Sequence, residues 1–123
     1  MKNLNPKEEL VMQILWQLEK AFLKEIVEAM PKPTPPTTTV ASIVKKLETM
    51  QLVGHKSYGN SNQYFALVEK ETYRKSAFRK FIDNYFGGSP EQVLSFFVEE
   101  ENIKPEELDK LLEKLKTQKN DPS

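Results

Sequence analysis

The sequence predicts a mostly α-helical chain carrying one small β-hairpin, and three observations lead to that prediction. Apolar residues recur at i, i+3, i+4, i+7 spacing through most of the chain. The period changes once, at "VGHKSYGNSNQYFALV", where Val53, Tyr58, Tyr64, Phe65 and Leu67 flank the polar cluster over 59–62, as two strands flank a turn. Upstream of it, "PKPTPPTTT" breaks the helical pattern and makes the segment before the hairpin a helix, a stiff turn and a second helix.

The first helix is signalled by "NPKEELVMQILWQLEK". Asn5 suits the N-cap, Pro6 the first helical position, and Glu8 and Glu9 the positive end of the helix dipole. Leu10, Val11, Ile14, Leu15 and Leu18 form its apolar stripe, with Trp16 beside it as a core or interface anchor. A second helix is expected over about 22–30, with Leu23, Ile26, Val27 and Met30 on one side. Four prolines within 31–36 end it and hold the angle to the next helix, whose opening turn Pro36 suits.

The third helix, over about 37–51, has two different sides. Val40, Ile43, Val44 and Leu47 face a core, while Thr38, Ala41, Ser42, Lys45 and Thr49 occupy the opposite stripe. A solvated face usually carries long charged side chains; this one is short, hydroxyl-rich and marked by a single Lys. After the hairpin come three further helical patterns. "EKETYRKSAFRKFIDNYFGG" bears Tyr73, Ala77, Phe78, Phe81, Ile82 and Tyr85 and stops at Gly87 and Gly88. "SPEQVLSFFVEEEN" opens on a Ser89 cap and carries Val93, Leu94, Phe96, Phe97 and Val98. The last runs from Pro105 with Leu108, Leu111, Leu112 and Leu115 on one face. Three short helices cannot bury that much Phe, Tyr and Leu among themselves, and a second copy of the chain is the simplest partner. The tail, 120–123, is expected to be disordered.

Composition narrows the chemistry. Eighteen basic and eighteen acidic residues balance, so an electrostatic footprint has to be local: residues 1–67 carry 8 Lys against 6 acids (+2), and residues 68–123 carry 10 basic residues against 12 acids (−2). There is no cysteine, and His55 is the one histidine, so thiolate metal sites, disulfides and Cys–His nucleophiles are excluded. No metal or other cofactor is expected. No leader-like or membrane-spanning apolar run is visible, and a cytoplasmic location is the expectation. The carboxylates of the last two helices read as a solvated face, His55 has no carboxylate pair near it in sequence, and Gly87–Gly88 is a helix stop and not a phosphate loop. An enzyme has only these scattered acids behind it.

The third helix is the better lead. A helix entering the major groove needs a face free of bulky side chains, so that hydroxyls and Lys reach phosphates and base edges. Thr37, Thr38, Ser42 and Lys45 meet that need, and Ala41 offers a methyl-sized contact for thymine. The hairpin adds His55, Lys56 and Tyr58 beside a polar loop. The first Arg is Arg74, so the Arg–guanine contact cannot come from this helix; Lys45 and Lys46 would take that role, or an A·T-rich site is read by hydroxyls, methyls and shape. The competing reading is a domain that docks a protein, favoured by the zero net charge and the missing Arg.

"EELVMQILW", "KEIVEAM", "TTVASIVKKLETMQLV", "HKSYGNSNQYFALVEKETYR" and "FIDNYFGGSPEQVLSFFVEEENIKPEELDKLLEKL" together resemble the penicillinase-repressor (BlaI/MecI/CopY) family of bacterial transcriptional regulators, in order and over nearly the whole chain. The resemblance implies a winged helix-turn-helix DNA-binding domain, 1–70, joined to a C-terminal helical dimerisation arm, 71–119. Such a protein acts as a homodimer on double-stranded, pseudo-palindromic operator DNA. Carried over by position, Thr38, Thr39, Ala41, Ser42, Lys45 and Lys46 fall on the recognition helix, and the loop with Asn60 and Asn62 is the wing tip. Antibiotic-responsive members are relieved when a membrane sensor triggers proteolysis in the "FVE" helix; the matching bond joins Phe96 to Phe97. Those members carry Asn where this chain has Phe96, which counts against cleavage here. Copper-responsive members carry a cysteine cluster that this chain lacks.

Overall fold

The computed structural model describes residues 4–120, with side chains to residue 118. The elements run α1 (Pro6–Leu18), β1 (Lys20–Phe22), α2 (Leu23–Ala29), α3 (Thr37–Thr49), β2 (Val53–Tyr58), β3 (Ser61–Ala66), α4 (Lys70–Phe86), α5 (Pro90–Glu100) and α6 (Pro105–Asn120). Two compact units are formed, Met1–Ala77 and Phe78–Ser123. Of the tail expected over 120–123, residues 121–123 lie outside the described residues.

In the first unit, α1 opens on a reciprocal cap. The Glu8 N–H donates to Asn5 Oδ1 (2.8 Å) and the Asn5 N–H donates to Glu8 Oε1 (2.9 Å), which satisfies two of the donors a helix start leaves open. Val11, Met12 and Leu15 of α1, Ile26 of α2, and Val40, Val44 and Leu47 of α3 are fully buried in one core with Ala21 and Val53. Met12, between the expected stripe residues, belongs to that core, whereas Leu18 at the end of the stripe is exposed.

The sheet corrects the expected pair of strands: it has three, in the order β1-β3-β2, all antiparallel. At the end of α1, Glu19 takes φ 70°, and this reversal lets Lys20–Phe22 pair with Phe65, Tyr64 and Gln63. Phe22 therefore belongs to a strand, and α2 starts one residue later than its apolar pattern suggests. Its start is held by Glu25, whose Oε1 accepts the Phe22 N–H at 2.9 Å. The turn between β2 and β3 uses only Gly59 and Asn60, with Tyr58 opposite Ser61 and Ser57 opposite Asn62. Gly59, the first of the two, sits at φ 61°, a conformation that glycine adopts without Cβ strain.

The first unit continues past the hairpin because Tyr73 folds back into it. Its ring is 8% exposed, lies 5.5 Å from the Trp16 ring, and its hydroxyl donates to Glu9 Oε1 at 3.1 Å. Trp16 Nε1–H in turn donates to the Val68 carbonyl at 2.9 Å. Tyr73 was expected on the dimer-facing surface; it is a core residue of the first unit.

In the second unit α4 stops at Gly87 (φ 57°) and Gly88 (φ 78°), and α5 is capped by Ser89, whose Oγ accepts the Gln92 N–H at 3.2 Å. Phe81, Phe86 and Phe96 form a chain of rings with centroids 5.5 and 5.4 Å apart, and Tyr85 lies 5.2 Å from Phe81.

Candidate nucleic-acid interface

The helix α3 reaches the surface with its short-residue stripe outward. Stepping about 100° per residue from Val40, the centre of the buried side, Thr38, Ser42, Lys45 and Thr49 lie opposite the core. All four are exposed, and Thr37 is exposed beside them; Thr39 and Ala41 are half-buried on the margins. The Thr49 hydroxyl is turned back to the Lys45 carbonyl at 3.1 Å. The Lys45 ammonium has no partner among the described residues.

Both shoulders of the same helix are tied down. On one side, Lys46 Nζ lies 2.6 Å from Glu8 Oε2; the lysine side chain is 60% exposed, yet the carboxylate that it meets is only 3% exposed. Hydrogen bonding from Lys46 and from the Asn5 backbone holds the Glu8 carboxyl below its ordinary range, despite the opposing effect of burial. On the other side Glu48 Oε2 meets His55 Nδ1 of β2 at 2.6 Å, and the His55 ring stands edge-on to Tyr64 at 5.8 Å. Two residues expected to be DNA contacts, Lys46 and His55, are thus already engaged within the protein.

The end of α3 sets where the hairpin begins. Gln51 takes φ 64°, its N–H donates to the Glu48 carbonyl (2.9 Å), and the Leu52 N–H returns to the Leu47 carbonyl (3.0 Å). This reversal closes the helix and feeds the chain directly into β2. On the hairpin, Lys56 lies over the Tyr58 ring with its ammonium 5.4 Å from the centroid. The Ser57 hydroxyl donates to Asn62 Oδ1 at 3.1 Å, while Asn60 stands exposed at the tip.

The second unit presents a different surface. Phe78, Phe81, Tyr85, Phe96, Phe97, Leu111, Leu112 and Leu115 are exposed, and Leu108 is half-buried. Phe81, Tyr85, Phe86 and Phe96 line an open, mostly apolar groove together with Gln92, Ser95 and Glu99. No group of His, Asp and Glu that could hold a metal ion occurs among the described residues, and no helix among them is long and apolar enough to cross a membrane.

Glu8, the buried carboxylate that Lys46 meets, is a residue of this region that its sequence position alone does not single out. Its helical position favoured an acid at the dipole end, but the signal for more was there: an Asn three residues ahead of a Glu is the capping pattern that turns the carboxylate inward.

Three helices around one core, an outward third helix and an antiparallel hairpin following directly from it define a winged helix-turn-helix protein. The chain belongs to the penicillinase repressor family, which matches residues 4–117. It is similar to the methicillin resistance regulatory protein MecI of Staphylococcus aureus strain N315, 26% identical over 103 residues that make up 82% of this chain and 83% of that protein. The protein of the same name from Mammaliicoccus sciuri is 25% identical over the same shares. Among solved structures, one of Bordetella bronchiseptica BpsR, described as showing how its DNA binding is regulated by 6-hydroxynicotinic acid, shares the fold at a TM-score of 0.52 and 12% identity. That likeness covers 95% of this chain and 80% of that one.

Proposed function

We propose that the chain is a homodimeric transcriptional repressor that reads a pseudo-palindromic operator with α3 and steadies itself on the DNA backbone with the β2–β3 wing. The observation that carries this reading is the exposed stripe of α3, in which Thr38, Ser42 and a Lys45 with no partner among the described residues stand on a helix whose other face is locked into the core. Hydroxyls and one ammonium can meet phosphates and base edges, and Ala41 can lie against a thymine methyl. Thr37, Thr39, Lys56 and Asn60 flank that contact. Membership of a repressor family points the same way and argues against an enzyme.

The arm supplies the second half of the reading. Its exposed Phe and Leu side chains suit burial against a second copy, which would set two α3 helices about one duplex turn apart, roughly 34–36 Å. Relief by proteolysis, signalled by a membrane sensor-protease system, is the part of the reading with least behind it: Phe96 and Phe97 are exposed within α5, but Phe96 stands where the cleaved members carry Asn.

The test is a fluorescence-anisotropy titration against the chain's own upstream intergenic DNA and a scrambled duplex, at two salt concentrations. Tight, salt-sensitive binding that prefers the upstream duplex is expected. Lys45→Ala should weaken it while the dimer stays intact. A protein-docking role has one observation in its favour, the internal pairing of Lys46 and His55; weak, equal binding to both duplexes would put it first.

A further inference from the structure

We infer that Glu8 is a positioning residue that acts through Lys46: their ion pair braces one shoulder of α3 against α1 and withholds the Lys46 ammonium from the duplex, leaving Lys45 as the cation that α3 offers to phosphate. The inference rests on the DNA-binding reading above and adds to it which of two adjacent lysines does the work.

The geometry is asymmetric in a way that decides the matter. Lys46 is 60% exposed and adjacent in sequence to Lys45, so by exposure alone the two are equivalent candidates. Glu8 is not exposed: its side chain is 3% exposed, with Oε1 taken by the Asn5 N–H (2.9 Å) and Oε2 by Lys46 (2.6 Å). Moving the ammonium to a phosphate would exchange one anion for another and strand a buried carboxylate, the costly half of breaking such a pair. Lys45, about 100° further round toward the exposed stripe, has no such tie. The opposite shoulder is held by the hydrogen bond between Glu48 and His55 at 2.6 Å, so α3 is fixed in roll from both sides while its outward stripe stays unengaged.

The experiment is the salt dependence of anisotropy-measured affinity for the duplex that the wild type binds. Every phosphate that the protein ceases to neutralise flattens the log–log slope by about 0.9. Lys45→Gln, which removes one such contact from each half of the homodimer, should flatten it by about 1.8. Lys46→Gln should keep the wild-type slope, and Glu8→Gln, which frees the ammonium, should steepen it by a similar amount. The double variant Glu8→Gln/Lys46→Gln, which leaves no buried charge unpaired, should again match the wild type and serves if either single variant fails to fold. A flatter slope for Lys46→Gln or for the double variant overturns the inference, as does an unchanged slope for a folded Glu8→Gln. A wild type with no salt-dependent duplex binding fails earlier and differently: it removes the DNA-binding reading and takes this inference with it.

Discussion

Tyr73 separates two views of this chain most sharply, since its aromatic pattern assigns it to a dimer surface and the fold puts it in the core of the first unit. Truncation to Ala removes a ring that is 8% exposed and packed 5.5 Å from Trp16. Aromatic-to-Ala changes in cores cost about 3–5 kcal/mol. Tyr73→Phe keeps the ring and removes the bond to Glu9; hydrogen bonds to charged groups are worth about 1.5–3 kcal/mol, and because Glu9 is exposed and screened by water a loss at or just under that range, about 1–1.5, is expected. At about 4–8 °C per kcal/mol for a domain of this size, that is a fall in Tm of roughly 4–12 °C. Trp16 is the one tryptophan, so urea unfolding followed by its fluorescence reports on this unit directly. The loss should be the same at low and high protein concentration, because a core residue acts within one chain. There is also a pH signature. Burial, followed by the charge and hydrogen bond of Glu9, pushes the Tyr73 hydroxyl up to about 12 from an ordinary 10.0. Folding then favours the neutral phenol: its contribution is whole below pH 10.0, declines as the pH rises toward 12, and is absent in Tyr73→Phe. A Tyr73→Ala midpoint that falls only on dilution, or a Tyr73→Phe loss below about 0.3 kcal/mol, would refute the core assignment.

Phe97→Asp should convert the proposed dimer to monomers in sedimentation; a variant that sediments as the wild-type dimer places the interface elsewhere. Glu8→Gln should alter acid stability. The lowered Glu8 pKa means a contribution present above the ordinary 4.5 and lost as pH falls through the folded value, so urea midpoints of the variant should be lower near neutrality and converge on wild type in acid. Gln51→Gly should raise stability by up to about 1 kcal/mol, since Gln51 holds φ 64° where glycine carries no Cβ strain; a lower midpoint would show that its side chain matters more than its backbone.

Most of the helices were legible because a period and a boundary signal coincide in them. Asn5-Pro6, Ser89-Pro90 and Gly87-Gly88 are local devices whose effect does not depend on the rest of the fold, and all three act where the sequence places them. The core face of α3 was legible for the same reason: Val40, Val44 and Leu47 repeat at helical spacing and are buried. What was not legible depends on partners distant in sequence. The strand at Lys20–Phe22 is too short to show a period and exists because Gln63, Tyr64 and Phe65 of β3 lie beside it. Tyr73 belongs to an aromatic stripe that continues into the arm, and only its distance to Trp16 and Glu9 tells which side of the boundary its ring serves. Lys45 and Lys46 are indistinguishable as letters; Glu8, far from both in sequence, distinguishes them.

That last difference bears on how a chain with no net charge could bind a polyanion at all. Eighteen cations offset by eighteen anions leave no global field, so affinity has to come from a few placed groups. The Lys46 ammonium, engaged on Glu8, and the His55 ring, bonded to Glu48, fix the helix and do not add to attraction. A half-site read by Lys45 and several hydroxyls would be weak alone. Two such half-sites, joined through the arm, become a single bivalent event, in which the second contact forms at the high effective concentration set by the first. On the proposed reading, the exposed Phe and Leu of the second unit would be as necessary to operator affinity as α3 itself. A monomeric Phe97→Asp variant should therefore lose most of its duplex affinity, although every residue of its recognition helix is unchanged.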